Sequence, residues 1–89
     1  MATFKTYVDN YLREDGSRAV RVRIYHNASS TSVLTPYYVD KTQVTRTGKI
    51  KDAAVIDACN ELIRRWRDTL ATYGGALDAL DAKGIVQLL

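Results

Sequence analysis

Arg21, Arg23 and Tyr25 occupy alternate positions of the segment Ala19-Val20-Arg21-Val22-Arg23-Ile24-Tyr25-His26. That alternation is the period of a strand with one buried face and one wet face. It predicts Val20, Val22 and Ile24 on the core side, with the two arginines and the tyrosine opposite. Side chains two residues apart on one strand face stand about 7 Å apart, so both arginines reach neighbouring base pairs. Arginine can bond guanine O6 and N7 bidentately, which gives roughly 1–3 kcal/mol of discrimination. Tyrosine offers a hydroxyl to phosphates. The chemistry suggested is recognition of a polyanion. A merely solvated strand face fits the same residue types, and the pattern alone leaves both readings open.

Bond-making chemistry finds little support. The single cysteine, Cys59, excludes an internal disulfide and a cysteine-rich metal site. His26, the single histidine, has no partner for a histidine-based metal cluster and reads as a strand-end or turn residue. No nucleophile with an acid–base partner is visible, so the expectation is a non-enzymatic domain with no catalytic residues, metal ligands or cofactor. Cys59 reads as a small buried hydrophobe.

The charge distribution agrees with a polyanion partner. The 89 residues carry a net charge of +3, and the excess is uneven. Residues 1–51 hold nine Lys/Arg against four Asp/Glu, whereas residues 52–89 hold four against six. Positive charge gathered in one part of a fold is the electrostatic footprint of a nucleic-acid binder. No stretch approaches the ~20 apolar residues of a membrane span. The N-terminus, Met1-Ala2-Thr3-Phe4-Lys5, lacks the apolar core of a signal peptide. Together these predict a cytoplasmic protein without a membrane partner.

The elements that must position these residues follow from pattern. Phe4 to Leu12 reads as a first strand, rich in aromatic and β-branched residues. Glu14-Asp15-Gly16-Ser17 is a turn signal, so the first two strands form a hairpin. Which way Tyr7 and Tyr11 face is ambiguous. Strand two runs over 19–26, Asn27-Ala28-Ser29-Ser30-Thr31 is a second turn, and Ser32 to Val39 is strand three. There Val33, Thr35, Tyr37 and Val39 share one parity, Leu34 and Tyr38 the other, with Tyr37 expected in the core. Pro36 cannot donate to a ladder, which makes strand three an edge strand or bulged. The result is a three-stranded antiparallel meander with strand two in the middle.

Asp40 to Lys51 is a polar connection with a turn at Thr47-Gly48-Lys49. Asp52 then stands as the N-cap of one long helix. Val55, Cys59, Leu62, Trp66, Leu70 and Tyr73 recur at spacings of three or four, widened by Ala58, Ile63 and Thr69. Gly74-Gly75 stops the helix. The stripe should cover one sheet face, with Trp66 as the largest piece of the core, because three strands alone are marginal in water. The expected fold class is therefore α+β, a three-stranded antiparallel sheet packed against one long C-terminal α-helix. Ala76 to Lys83 suggests a short helix stopped by Gly84, and the apolar end Ile85-Val86-Gln87-Leu88-Leu89 suggests a chain that continues into a further domain. Residues 1–75 are thus expected to form the domain proper and 76–89 a linker or the start of the next domain.

Many weak matches point to one family. They begin at Ala2-Thr3-Phe4-Lys5 and pass through the Asp15-Gly16 turn and the Val20-Arg21-Val22-Arg23-Ile24 strand. Thr35 with Tyr37-Tyr38-Val39, Gly48-Lys49-Ile50-Lys51-Asp52 and Asn60-Glu61-Leu62-Ile63 continue them. Across residues 2–73 the chain resembles the N-terminal arm-type DNA-binding domain of tyrosine-recombinase integrases of conjugative transposons and prophages. Two departures stand out: the Asn27–Thr31 turn is less basic than is common there, and Pro36 stands where a glycine is frequent. The resemblance implies sequence-specific binding of double-stranded DNA at arm-type sites, with the sheet in the major groove and the helix behind it. It also implies a role in assembling the recombination complex with other integrase protomers and accessory DNA-bending proteins. Strand cutting would belong to a separate C-terminal domain, whose Arg/Lys/His constellation is absent from this sequence.

The candidate DNA-binding residues are then Arg21, Arg23 and Tyr25 on strand two, with Tyr38 on strand three. Lys5, Arg13, Arg18 and Lys41 are candidates for backbone contacts that set register without reading sequence. Arg64, Arg65 and Arg67 on the helix suit either a flanking phosphate, a neighbouring domain or plain solvent. Two other functions compete. A double-stranded RNA-binding module also packs three strands on a helix, but it normally opens with a helix and this chain opens with a strand. A protein-interaction module would use the open sheet or an edge strand.

Overall fold

The computed structural model describes residues 2–89. Three strands, β1 (Thr3–Val8), β2 (Arg18–His26) and β3 (Ser29–Val39), form an antiparallel sheet in the order β1-β2-β3. Helix α1 (Ala53–Ala71) follows, then a 3₁₀ turn over Gly74–Ala79 and a short helix α2 (Ala82–Gln87). The class is α+β, and the long helix lies behind the sheet through its side chains.

The alternation in β2 does what its period requires. Val20, Val22 and Ile24 are 0% exposed. Cross-strand pairing places Val8, Thr6 and Phe4 beside them on β1, so the even-numbered residues of both strands face the helix. Ile63 and Leu70 of α1 join Val22 and Ile24 in one cluster, and Cys59 joins Val20 and Val39 in a second. Burial pushes the Cys59 thiol pKa up, as befits a buried hydrophobe. Trp66 is half-buried at the rim of the first cluster, against Phe4 with ring centroids 6.1 Å apart, and is not the centre of the core. Tyr73, the last residue of the expected stripe, lies outside the helix and is exposed.

Asp52 caps α1 as expected: its Oδ1 accepts from the N–H groups of Ala54 and Val55 at 2.9 and 3.2 Å. Gln43 Nε2 donates to the other oxygen at 3.0 Å, tying the preceding connection to the helix start. That connection folds back on itself through a Val44–Ile50 bridge around Gly48, whose φ of 84° is the left-handed region.

Strand boundaries differ from the sequence reading in β1 and β3. β1 ends at Val8, not Leu12, because Tyr11 and Leu12 extend past the covered area and remain exposed. β3 begins at Ser29, not Ser32, because the turn is only Asn27-Ala28, both at positive φ (49° and 61°). Two central residues with positive φ match the right-handed twist of a hairpin. Asn27 Nδ2 anchors this turn by donating to the carbonyls of Asp78 and Leu80 at 2.9 and 2.8 Å. At Pro36 both expectations hold together. β3 is an edge strand, and Thr35-Pro36-Tyr37 bulge opposite Val20, between the pairs Arg21–Leu34 and Ala19–Tyr38. The buried Thr35 hydroxyl donates to Val20 O at 2.7 Å, filling the ladder where a backbone donor is displaced.

The segment read as a linker or the opening of a following domain packs on this same core. Ile85 is 0% exposed and belongs to the cluster of Val22, Ile24, Ile63 and Leu70. Its helix spans Ala82–Gln87 with Asp81 as N-cap, so Gly84 lies inside a helix instead of ending one. Ser29 Oγ accepts from Ala82 N at 2.8 Å. His26 ends β2 as a strand-end residue, but it carries the parity of Ile24, is buried, and bonds Leu77 O through Nε2 at 2.7 Å. No helix among the described residues is long and apolar enough to cross a membrane.

Candidate nucleic-acid interface

Register decides which side chains share the helix-free face. β1 runs Thr3, Lys5, Tyr7 opposite Tyr25, Arg23, Arg21 of β2, and these stand opposite Ser30, Ser32, Leu34 of β3. Residues directly opposite across antiparallel strands point to the same side. The open face is therefore built of three rows: Thr3–Tyr25–Ser30, Lys5–Arg23–Ser32 and Tyr7–Arg21–Leu34. Tyr38 extends it beyond the bulge, with the Arg13 guanidinium 4.4 Å from its ring centroid.

Arg23 lies at the centre. Its guanidinium carbon is 5.2 Å from the centroid of the Tyr7 ring, a cation–π contact. The Tyr7 hydroxyl and then the charge of Tyr25 hold the guanidinium pKa above its usual value. Tyr7 in turn is lowered, first by the Ser32 hydroxyl and further by Arg23. Lys5 stands directly across from Arg23. Neither has a carboxylate partner among the described residues.

Arg21 behaves differently. Its Nε donates to Asp9 Oδ2 at 3.0 Å, and Nη1 lies 3.5 Å from Ser32 Oγ. Both partners of this ion pair remain about one-third exposed, at 32% each. The bond from Arg21 holds the Asp9 carboxyl below the usual carboxylate range.

Six of the expected residues thus gather on one surface: Lys5, Arg13, Arg21, Arg23, Tyr25 and Tyr38. Arg18 and Lys41 do not join them. Arg18 has the parity of Val20 and pairs with Val39, which puts it at the end of the covered side. With Lys41 it lines a groove of about 720 Å³ whose walls include Val8, Leu12 and Thr42. The helix cations are occupied elsewhere. Arg64 pairs with Glu61 and with Asp68, the latter at 3.1 Å, and Arg65 lies 3.8 Å from Glu61. Arg67 sits over the Phe4 ring at 5.4 Å.

Tyr7, Leu34 and Asp9 were not among the expected residues. Parity with Lys5 is the signal that carries Tyr7 and Asp9, and it becomes readable only once the hairpin register is known. The described residues hold no group of three or more His, Cys, Asp or Glu placed to bind a metal ion. No protein-family model, curated protein or solved structure matches this chain.

Proposed function

We propose that the open sheet face binds double-stranded DNA from the major groove, as an arm-type domain of an integrase would. One observation carries this reading: Lys5 and Arg23 are direct cross-strand neighbours with no carboxylate partner among the described residues. Like charges directly opposite on a strand pair destabilise the isolated sheet. A polyanion laid on the face converts that repulsion into attraction. Size supports the same reading. Three strands at about 4.8 Å spacing make a ribbon roughly 10 Å wide, and the major groove is about 12 Å wide. Arg21 and Arg23 lie on the central strand, which sits deepest in such a groove, while Lys5 and Arg13 lie toward the phosphates. In this reading the domain binds and positions DNA and makes or breaks no bond in it.

Fluorescence anisotropy with a labelled duplex over a salt series tests the proposal. Binding should weaken steeply with salt; Arg23→Ala and Lys5→Ala should each weaken it, and Lys5→Ala should reduce the log–log salt slope by about one. Arg64→Ala, already neutralised on its own helix, should leave both unchanged. Binding insensitive to salt, or an Arg64→Ala loss equal to that of Arg23→Ala, overturns the docking mode. Equal affinity for an A-form RNA duplex would assign the face to shape recognition instead.

A further inference from the structure

We propose that Asp9 is a positioning residue that holds Arg21 for bidentate contact with a guanine, so that the Tyr7–Arg21–Leu34 row reads a G·C pair. The inference rests on duplex binding by the open face and goes beyond it to name a base and the residue that orients its reader.

A carboxylate at the rim of a surface meant for a polyanion needs a reason. The Asp9–Arg21 pair is part-buried, with each side chain 32% exposed, and a free carboxylate would repel phosphate. The bonding pattern supplies the reason. Arginine presents its donors in a rigid planar fork. Asp9 Oδ2 takes the Nε–H at 3.0 Å, the donor nearest the chain. Nη1 has only a long contact, 3.5 Å to Ser32 Oγ, and Nη2 has no partner among the described residues. The two terminal nitrogens remain as a pair able to meet guanine O6 and N7 together. An arginine bonded through Nε has already lost much of its rotamer freedom, so less is lost when the base is met. Its place on the central strand, between Tyr7 and Leu34, aims it at base edges instead of the backbone. Arg23 has no such brace; it stacks on Tyr7.

The opposing account makes Asp9 a simple counter-charge that takes Arg21 out of use. Selection from a pool of duplexes randomised over about one helical turn separates the two. The pool is bound by the wild type, Asp9→Ala, Asp9→Asn, Arg21→Ala and Arg21→Lys, each checked for an unchanged thermal melt. The wild type should enrich guanine at one position by about 5- to 150-fold, the discrimination of one bidentate pair. Arg21→Ala should lose that enrichment, and so should Arg21→Lys, which keeps the charge but not the fork. Asp9→Ala should reduce it about fivefold or more while binding a duplex of fixed arbitrary sequence as tightly as the wild type or tighter, since a negative charge is gone. Asp9→Asn should retain part of it, because the amide oxygen still accepts from Nε. Undiminished guanine enrichment in Asp9→Ala or Arg21→Ala overturns the inference, as does a wild type that binds duplexes without guanine preference; in those cases duplex binding itself still stands. A wild type that binds no duplex overturns both.

Discussion

Arg21 and Arg23 share a strand, a face and a residue type, yet their surroundings differ. Arg23 meets Tyr7 and stands beside Lys5, whereas Arg21 is held by Asp9. The pattern of alternation made both legible as open-face residues. Asp9 was not legible, because only the hairpin register brings it within 3.0 Å of Arg21. Asp52 was legible, since an N-cap is a local feature of chain direction and residue type. Its carboxyl is held below the usual range, first by the Gln43 amide and then by the helix N–H groups. A folded-state pKa lowered in this way stabilises the domain fully above the ordinary carboxylate pKa. That contribution is lost as pH falls through the lowered folded value. Urea midpoints from about pH 7 to about pH 2 should therefore hold steady and then fall on the acid side. Asp52→Ala should lower the neutral-pH midpoint and flatten the fall.

At the scale of the element, β3 shows how one residue type sets geometry and another repairs it. Pro36 disrupts pairing, three residues face Val20 alone, and the Thr35 hydroxyl bonds the Val20 carbonyl at 2.7 Å in the buried layer. Thr35→Val keeps the shape and β-propensity but leaves that buried acceptor unpaired, at a cost of about 1–3 kcal/mol. Urea unfolding should show this loss, and Thr35→Ser, which keeps the hydroxyl, should recover most of it. A proline in a strand announces an edge or a bulge, and here it marks both. The position of the β2–β3 turn was not announced. Asn27-Ala28-Ser29-Ser30-Thr31 is uniformly polar and small, so no local contrast places the two left-handed residues. The bonds from Asn27 to Asp78 and Leu80 supply the contrast, and they come from about fifty residues away.

The described residues form a body of 42 × 21 × 20 Å, elongated, with the sheet's basic face on one side and its helices on the other. So small a domain depends on each buried side chain. Ile85 is 0% exposed and fills the space that Ile63 and Leu70 leave over Val22 and Ile24. Ile85→Ala should destabilise the domain by about 2–5 kcal/mol, against a total near 5–15 kcal/mol for domains of ordinary stability. A loss within about 0.5 kcal/mol, the size of a surface change, would show that the C-terminal helix is dispensable. By itself, the amino-acid sequence determined the α+β class, the meander order, the inward set Val20, Val22, Ile24 and the capped start of the long helix. Each of these is written in a period of two or of three to four residues, or in a cap. The tertiary structure alone decided that residues 76–89 close the core, that His26 is buried, that Trp66 stands at the rim, and that Asp9 meets Arg21. These depend on which distant surfaces remain uncovered once the local elements form, and no periodicity within a segment encodes what lies across from it.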